Sequence, residues 1–282
     1  MLEQTIFNAL LLGMTYVVVA SGLTLVFGVM HIFNFAHGEL YMLGGFVGYF
    51  LLEFLGLNFF LAMVLTMAVM FFLGILIERY TFRPVRGKLI PSMILSLSLS
   101  LVLSGFALLA FTENDLSIES PFPGVWHLMG IFIPLERLMI IILCFLIMVS
   151  MFFFLHRFKW GRALRAVAID PEAAVLQGIN IDRVYSLSFG ISSALAAAAG
   201  VMILPLFKVN AYMGTAAVNN SLAVIVLGGM GSIPGSVAGG LLLGTVNAFA
   251  TTYIGGTIGG IFAFIMIIVM IMVRPKGLLG HD

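Results

Sequence analysis

Long apolar runs, separated by short polar or glycine- and proline-containing breaks, make up most of this chain. They cover residues 5–28, 38–57, 59–78, 90–111, 137–156, 184–206, 212–230, 235–252 and 258–273. A helix needs about 20 apolar residues to cross a hydrocarbon core, and these runs are of that order. None alternates in the short segments of a membrane barrel. Pro91 opens the fourth run, Pro205 ends the sixth, and Ile233-Pro234-Gly235 separates the seventh from the eighth. The pattern predicts an all-α, polytopic integral membrane helix bundle of about nine spans, eight to ten being the range, in a single domain over 1–282.

Composition agrees. Of the 282 residues, 62% are hydrophobic and 9% charged, against about 25% charged in an ordinary soluble domain. A net charge of +1 gives no reason to expect nucleic acid. The single cysteine, Cys144, rules out an intramolecular disulfide or a cysteine metal site. The N-terminus, with Glu3 and no basic residue, lacks the positive region of a cleaved signal peptide, so the first run reads as a retained span.

Charge also orients the bundle. Arg79, Arg83, Arg86 and Lys88 form one basic cluster, segment 157–183 carries five Lys and Arg, and Arg274 and Lys276 form a third group. Together these hold eleven of the thirteen basic residues, and the positive-inside rule puts them in the cytoplasm. Loop 112–136 carries Glu113, Asp115, Glu119 and Glu136 without a Lys or Arg, so it is expected outside. An N-terminus outside and a C-terminus inside require an odd number of crossings, and nine satisfies this. The run 212–230, short and carrying Asn219, Asn220 and Ser221, is the one that a re-entrant reading would remove.

The polar segment 157–183 contains a short helix with start and stop signals. Asp170 is a good N-cap, Pro171 suits the first helical position, Glu172 favours the positive end of the dipole, and Gly178 can end the helix left-handed. Pro171 to Gln177 is expected to be helical, with Ala173, Ala174 and Leu176 as a small apolar knob. So short a helix is unstable alone in water and must pack on its own bundle or on a partner.

A second polar group, His31, Asn34, His37 and Glu39, lies between apolar runs, where ionisable side chains are costly and usually paired. It reads either as a gate or substrate contact, or as a hydrogen-bonded network holding a broken helix. Two His and one Glu are too few for a metal site, and no cofactor is expected. Ser92, Ser96, Ser100 and Ser104 recur every fourth residue and line one helix face. That face is open to two readings, a pore stripe or a close-packing surface. Small residues at Ser188, Ser192, Ala196 and Gly200, and at Gly240 and Gly244, raise the same pair of readings. At an offset of 200, Val26, Gly28, Met30, Leu43 and Gly44 match Val226, Gly228, Met230, Leu243 and Gly244, a pattern expected of a parallel internal repeat.

Three motifs resemble one family. Asn34-Phe-Ala-His37-Gly-Glu39 resembles a segment of LivH-type permeases of branched-chain amino-acid ABC importers. Gly161-Arg-Ala-Leu-Arg165 with Asp170-Pro-Glu-Ala-Ala174 resembles the family's coupling loop, and Leu227-Gly-Gly-Met-Gly-Ser-Ile-Pro-Gly235 its glycine-rich segment. Glu172-Ala-Ala-x-x-x-Gly178 also matches the core of the motif that importer permeases present to their ATPases. The motif's second half is absent, since 188–191 read Ser-Phe-Gly-Ile.

The resemblance implies a non-catalytic permease subunit in a bacterial cytoplasmic membrane, moving leucine, isoleucine and valine by alternating access. It implies two cytoplasmic ABC ATPase subunits, a second homologous permease and an extracytoplasmic binding protein as partners. Asp170, Pro171, Glu172, Ala173, Ala174 and Gly178 become the ATPase-coupling set. Asn34, His37, Glu39, Ser96 and Ser100 become candidates for the gate or translocation path. No phosphate loop occurs here, Arg86-Gly87-Lys88-Leu89 lacking its first glycine and its hydroxyl. Urea or short amides are the alternative substrates, and a self-contained transporter or channel the alternative class.

Overall fold

The computed structural model describes residues 2–111, 115–128, 131–274 and 276–280; Glu113 lies outside them. Each of the nine apolar runs forms a helix: α1 Leu2–Met30, α2 His37–Glu53, α3 Phe59–Ile77, α4 Leu89–Phe111, α5 Leu135–Arg157, α8 Ile181–Ile203, α9 Met213–Gly228, α10 Ile233–Tyr253 and α11 Gly256–Val273. Two further helices, α6 Lys159–Ile169 and α7 Pro171–Leu176, occupy the polar segment. Among the described residues six helices, α1, α3, α4, α5, α8 and α10, are long and apolar enough to cross a membrane.

The all-helical expectation needs one correction. The loop after α4 holds an antiparallel hairpin, β1 Val125–Leu128 with β2 Ile131–Pro134. The break between α9 and α10 falls at 229–232, just before Ile233-Pro234-Gly235, which forms the first turn of α10; the Ser232 hydroxyl caps that helix by accepting from Gly235 N–H at 3.1 Å.

Cross-helix contacts give each helix a direction. Gly13, Val17 and Gly28 of α1 meet Gly244, Gly240 and Gly231 in that order, so α10 runs opposite to α1. Gly22 and Leu25 meet Ser192 and Ser188, so α8 also opposes α1. Asn8 bonds Arg137 at 2.7 Å and Thr15 lies against Cys144, so α5 runs with α1. His37, Gly44 and Gly48 meet Ser192, Ala197 and Val201, so α2 runs with α8. Gly74 meets Ser193 and Glu78 meets Ser186, which sets α3 against α8. The tail after α11 returns to the α9–α10 turn, with Leu278 and Leu279 N–H groups donating to Leu227 and Gly228 carbonyls at 2.9 Å. The start of α1 and this tail therefore lie at opposite ends of the bundle.

Small residues make these approaches possible. A Cβ on Gly200 would overlap the Tyr41 carbonyl, and one on Gly244 the Gly13 backbone. Close packing is what the small faces of α8 and α10 do, with buried Ser188 and Ser192 turned onto α1 and α2.

Two helices start in the middle of the bundle. The first turn of α2 touches Val19 and Ser192, near the middles of their helices. The first turn of α9 touches α2 there, at Gly38. From that level α2 runs toward the loop that follows α4 and α9 toward the basic end. Segments 31–36 and 204–212, neither of them helical, lead the chain into these two helices. The recurring element is therefore a helix followed by a broken one, α1–α2 and α8–α9, pointing in opposite senses. The offset-200 likeness pairs α1–α2 with α9–α10, and these share a direction: α1 and α9 run toward the basic end, α2 and α10 away from it.

Candidate coupling site and central junction

At the basic end, Phe158 turns the chain out of α5 and into α6. Leu164 and Val167 are buried, while Arg162 and Arg165 are not. Asp170 leaves helical geometry, and its Oδ1 accepts from the Glu172 and Ala173 N–H groups at 2.9 and 3.0 Å. Pro171 follows, with no N–H to satisfy. Gly178 takes φ +78° and closes the segment as expected.

The apolar knob differs from its sequence reading. Ala174 is buried, tying α7 to the bundle, whereas Leu176 is 89% exposed and Val175 lies beside it in the open. Ile169 is 85% exposed at the end of α6. Glu172 is exposed as well. The coupling set is thus brought together on one capped helix whose outward side joins apolar and acidic groups. Sequence reading missed α6, whose signal was the spacing of Leu164 and Val167 among basic residues.

The central junction is built from the break after α1. His31 adopts φ 54°, the one described non-glycine residue with positive φ, and α1 stops there. Asn34 Oδ1 accepts from Ala36 N–H at 3.1 Å, turning the chain into α2. His37 Nε2 donates to the Val19 carbonyl at 2.9 Å. That carbonyl can only accept, so Nδ1 is left to accept from the Ser192 hydroxyl at 3.4 Å. One buried imidazole therefore joins α1, α2 and α8.

The serine stripe of α4 faces this break. Ser96 donates to the Phe33 carbonyl at 3.3 Å, and Ser100 to Glu39 Oε1 at 3.0 Å. Non-helical backbone at membrane depth needs such partners. Among the described residues Glu39 Oε2 and Asn34 Nδ2 are buried without a hydrogen-bond partner, and Glu39 lies near Ser104 and against Gly214 at the start of α9. All five candidates of this set, Asn34, His37, Glu39, Ser96 and Ser100, meet here. Asn34, His37 and Ser96 hold the break, and Glu39 keeps an unused oxygen. This junction and α7 are separate places in the fold.

Two further features rest on pairings that sequence reading missed. Asn210 matches Asn34 by turning the chain before α9, its Oδ1 accepting from Tyr212 N–H at 3.0 Å. Its amide donates to Asp115 at 3.0 Å, and Lys208 sits 3.4 Å from the same carboxylate. The Asn210 amide first, and then Lys208, hold that carboxyl below its ordinary value. Nearby, Tyr16, Tyr41, Lys208, Asn220 and Ser221 contribute to the lining of a mainly apolar cavity of about 270 Å³. The second feature is an ionic cluster: Arg86 bonds both Glu78 and Asp182, and Arg83 also pairs with Asp182.

A multi-pass helical bundle with broken central helices and a capped amphipathic surface at its basic end defines a membrane transport protein of the importer-permease class. Comparison with known proteins gives the particular family. The chain belongs to the branched-chain amino acid transport system / permease component family, whose pattern matches residues 5–272. It is 35% identical to the high-affinity branched-chain amino acid transport system permease protein LivH of Salmonella typhimurium, over 98% of this chain and 95% of that protein. The BraD permease protein of the corresponding system of Pseudomonas aeruginosa is also 35% identical, with the same coverage. Among solved structures, PsaBC from Streptococcus pneumoniae in complex with Fab shares the fold. Its TM-score is 0.55 at 15% identity, covering 98% of this chain and 97% of that one.

Proposed function

We propose that this chain is the transmembrane subunit through which a bacterial ABC importer moves leucine, isoleucine and valine across the cytoplasmic membrane. The observation that carries the proposal is the exposed α7 surface at the basic end of the bundle, in a chain matching branched-chain permeases along nearly its whole length. A capped helix with Leu176 in the open is a docking element for a soluble partner, and Asp170, Pro171, Glu172, Ala173, Ala174 and Gly178 form it. Two ATPase subunits, a second permease and an external binding protein complete the machine. ATP hydrolysis belongs to the ATPases, and this chain adds no catalytic group.

Nine crossings, with the N-terminus outside and the C-terminus in the cytoplasm, fit the alternating helix directions and the opposite placement of the two ends. Segment 204–212 and α9 together form the seventh crossing, which the re-entrant reading would have removed. Glu39, with Ser100 beside it, is the member of the central set with an oxygen left to meet a translocating group. The other members act on the gate by fixing the geometry of the break.

Substrate class is tested in proteoliposomes holding the full complex and its binding protein. Labelled leucine uptake is expected to be competed by isoleucine and valine and to be unaffected by urea. Competition by urea or a short amide, with no effect of valine, would assign the alternative substrates.

A further inference from the structure

The ionic cluster at the foot of α4 has no place in the function so far described. Helix α3 does not end cleanly: it continues as one π-helical turn, Glu78–Phe82, and then a short 3-10 turn, Arg83–Val85. Such π turns appear frequently at functional sites. Here the turn buries the Glu78 carboxylate completely, at an end of the bundle where water is within reach. Burial of a carboxylate is tolerated when it is paired and hydrogen-bonded. Glu78 receives Arg86 on Oε1 and the Ser186 hydroxyl on Oε2. The Arg86 guanidinium also reaches Asp182 and lies 4.8 Å from the Tyr185 ring centroid.

Sequence position gives this cluster its meaning. Asp182 and Ser186 belong to the first turns of α8, directly after the coupling helix. Between them and α7 the chain has little slack. Ile179 N–H donates to the Ala174 carbonyl at 3.1 Å, and Asn180 caps α8 through Arg183 N–H at 3.0 Å. On the other side, Arg86 stands three residues before α4. That helix packs within the chain mainly on α2 and on the π turn, with Ile94, Leu97, Leu101, Val102 and Leu109 exposed. Its serines hold the central break at Phe33 and Glu39. An unbroken chain of bonded groups therefore runs from α7 through Asp182 and Arg86 to α4, and on to Glu39.

We propose that the Glu78–Arg86–Asp182 cluster is the strut that carries displacement of the coupling segment to α4 and so to the central junction. Arg86 and Asp182 are positioning residues: they touch neither nucleotide nor substrate. The proposal rests on the coupled-permease reading, and ATP-driven uptake by the unaltered complex is the control for that reading.

The test uses the full complex in proteoliposomes and reads amino acid taken up per ATP hydrolysed. Asp182→Asn is the first variant, because Asp182 is half exposed and its loss leaves Glu78 still paired with Arg86. ATPase co-purification and hydrolysis are expected to stay within twofold of the unaltered complex, while uptake per ATP falls at least tenfold. A second variant carries Arg83→Cys with Asp182→Cys, a pair joined in the native chain whose replacement leaves Glu78 bonded to Arg86; native Cys144 is fully buried and does not compete for reagent. Bridging the introduced pair with a short bismaleimide is expected to restore at least half of the lost coupling. A merely structural role would not be rescued in this way. Unchanged uptake per ATP in Asp182→Asn, or no recovery on bridging, overturns the strut while leaving the permease assignment intact. Absence of ATP-driven uptake in the unaltered complex overturns that assignment instead.

Discussion

Glu172→Lys is expected to release the ATPase subunits while the permease still inserts and folds. Glu172 is in the first turn of α7 and exposed, and its side chain has no hydrogen bond or ion pair among the described residues. Reversing its charge against the helix dipole costs about 0.3–1 kcal/mol, too little to unfold a helix anchored by buried Ala174. A loss of co-purified ATPase of tenfold or more, about 1.4 kcal/mol, would therefore report the docking face. Leu176→Asp, at a position 89% exposed, is expected to act in the same direction. Co-purification at the unaltered level in both variants would remove α7 from the interface.

The largest structural effect is expected at the central junction. In Gly38→Val the new Cβ would fall on the Gly214 carbonyl and against the Val218 side chain. The Gly38 backbone cannot easily withdraw, because the neighbouring His37 is bonded to Val19 and Ser192 and Glu39 to Ser100. Destabilisation of about 4 kcal/mol or more follows, the range reserved for changes that a packed site cannot absorb. The readout is monodisperse yield and melting in detergent. Gly105→Ala is the matched control: nothing lies within 4 Å of its Cβ position, and helix propensity favours alanine there by about 1 kcal/mol. A normal melting temperature for Gly38→Val would contradict the close meeting of α2 and α9.

The elements that sequence reading recovered are those written in local chemistry. Apolar run length marked all nine long helices, because a bilayer demands continuous apolar surface. The cap of α7 was legible in Asp170, Pro171 and Gly178, since capping involves neighbours a few residues apart. Small residues on α8 and α10 announced close approach without naming the partner. What was not legible depends on distant pairs. That α2 and α9 begin in mid-bundle follows from Gly38 meeting Gly214, and nothing near either glycine records the other. Nothing in the sequence beside Arg79 and Arg83 assigns Glu78 a partner, and only the fold brings Asp182, more than a hundred residues later, to share its arginine. The hairpin at Val125–Pro134 was hidden because its short apolar strands sit in a loop read for charge alone.

The central claim is that this bundle moves its substrate only when driven from outside its own chain. Labelled leucine uptake into proteoliposomes tests it most directly, comparing the permease pair alone with the pair joined by its ATPases, binding protein and ATP. Uptake is expected only in the complete system and is expected to vanish when ATP is withheld. Leucine accumulation by the permeases without ATPases would contradict the claim and make this chain a self-contained transporter.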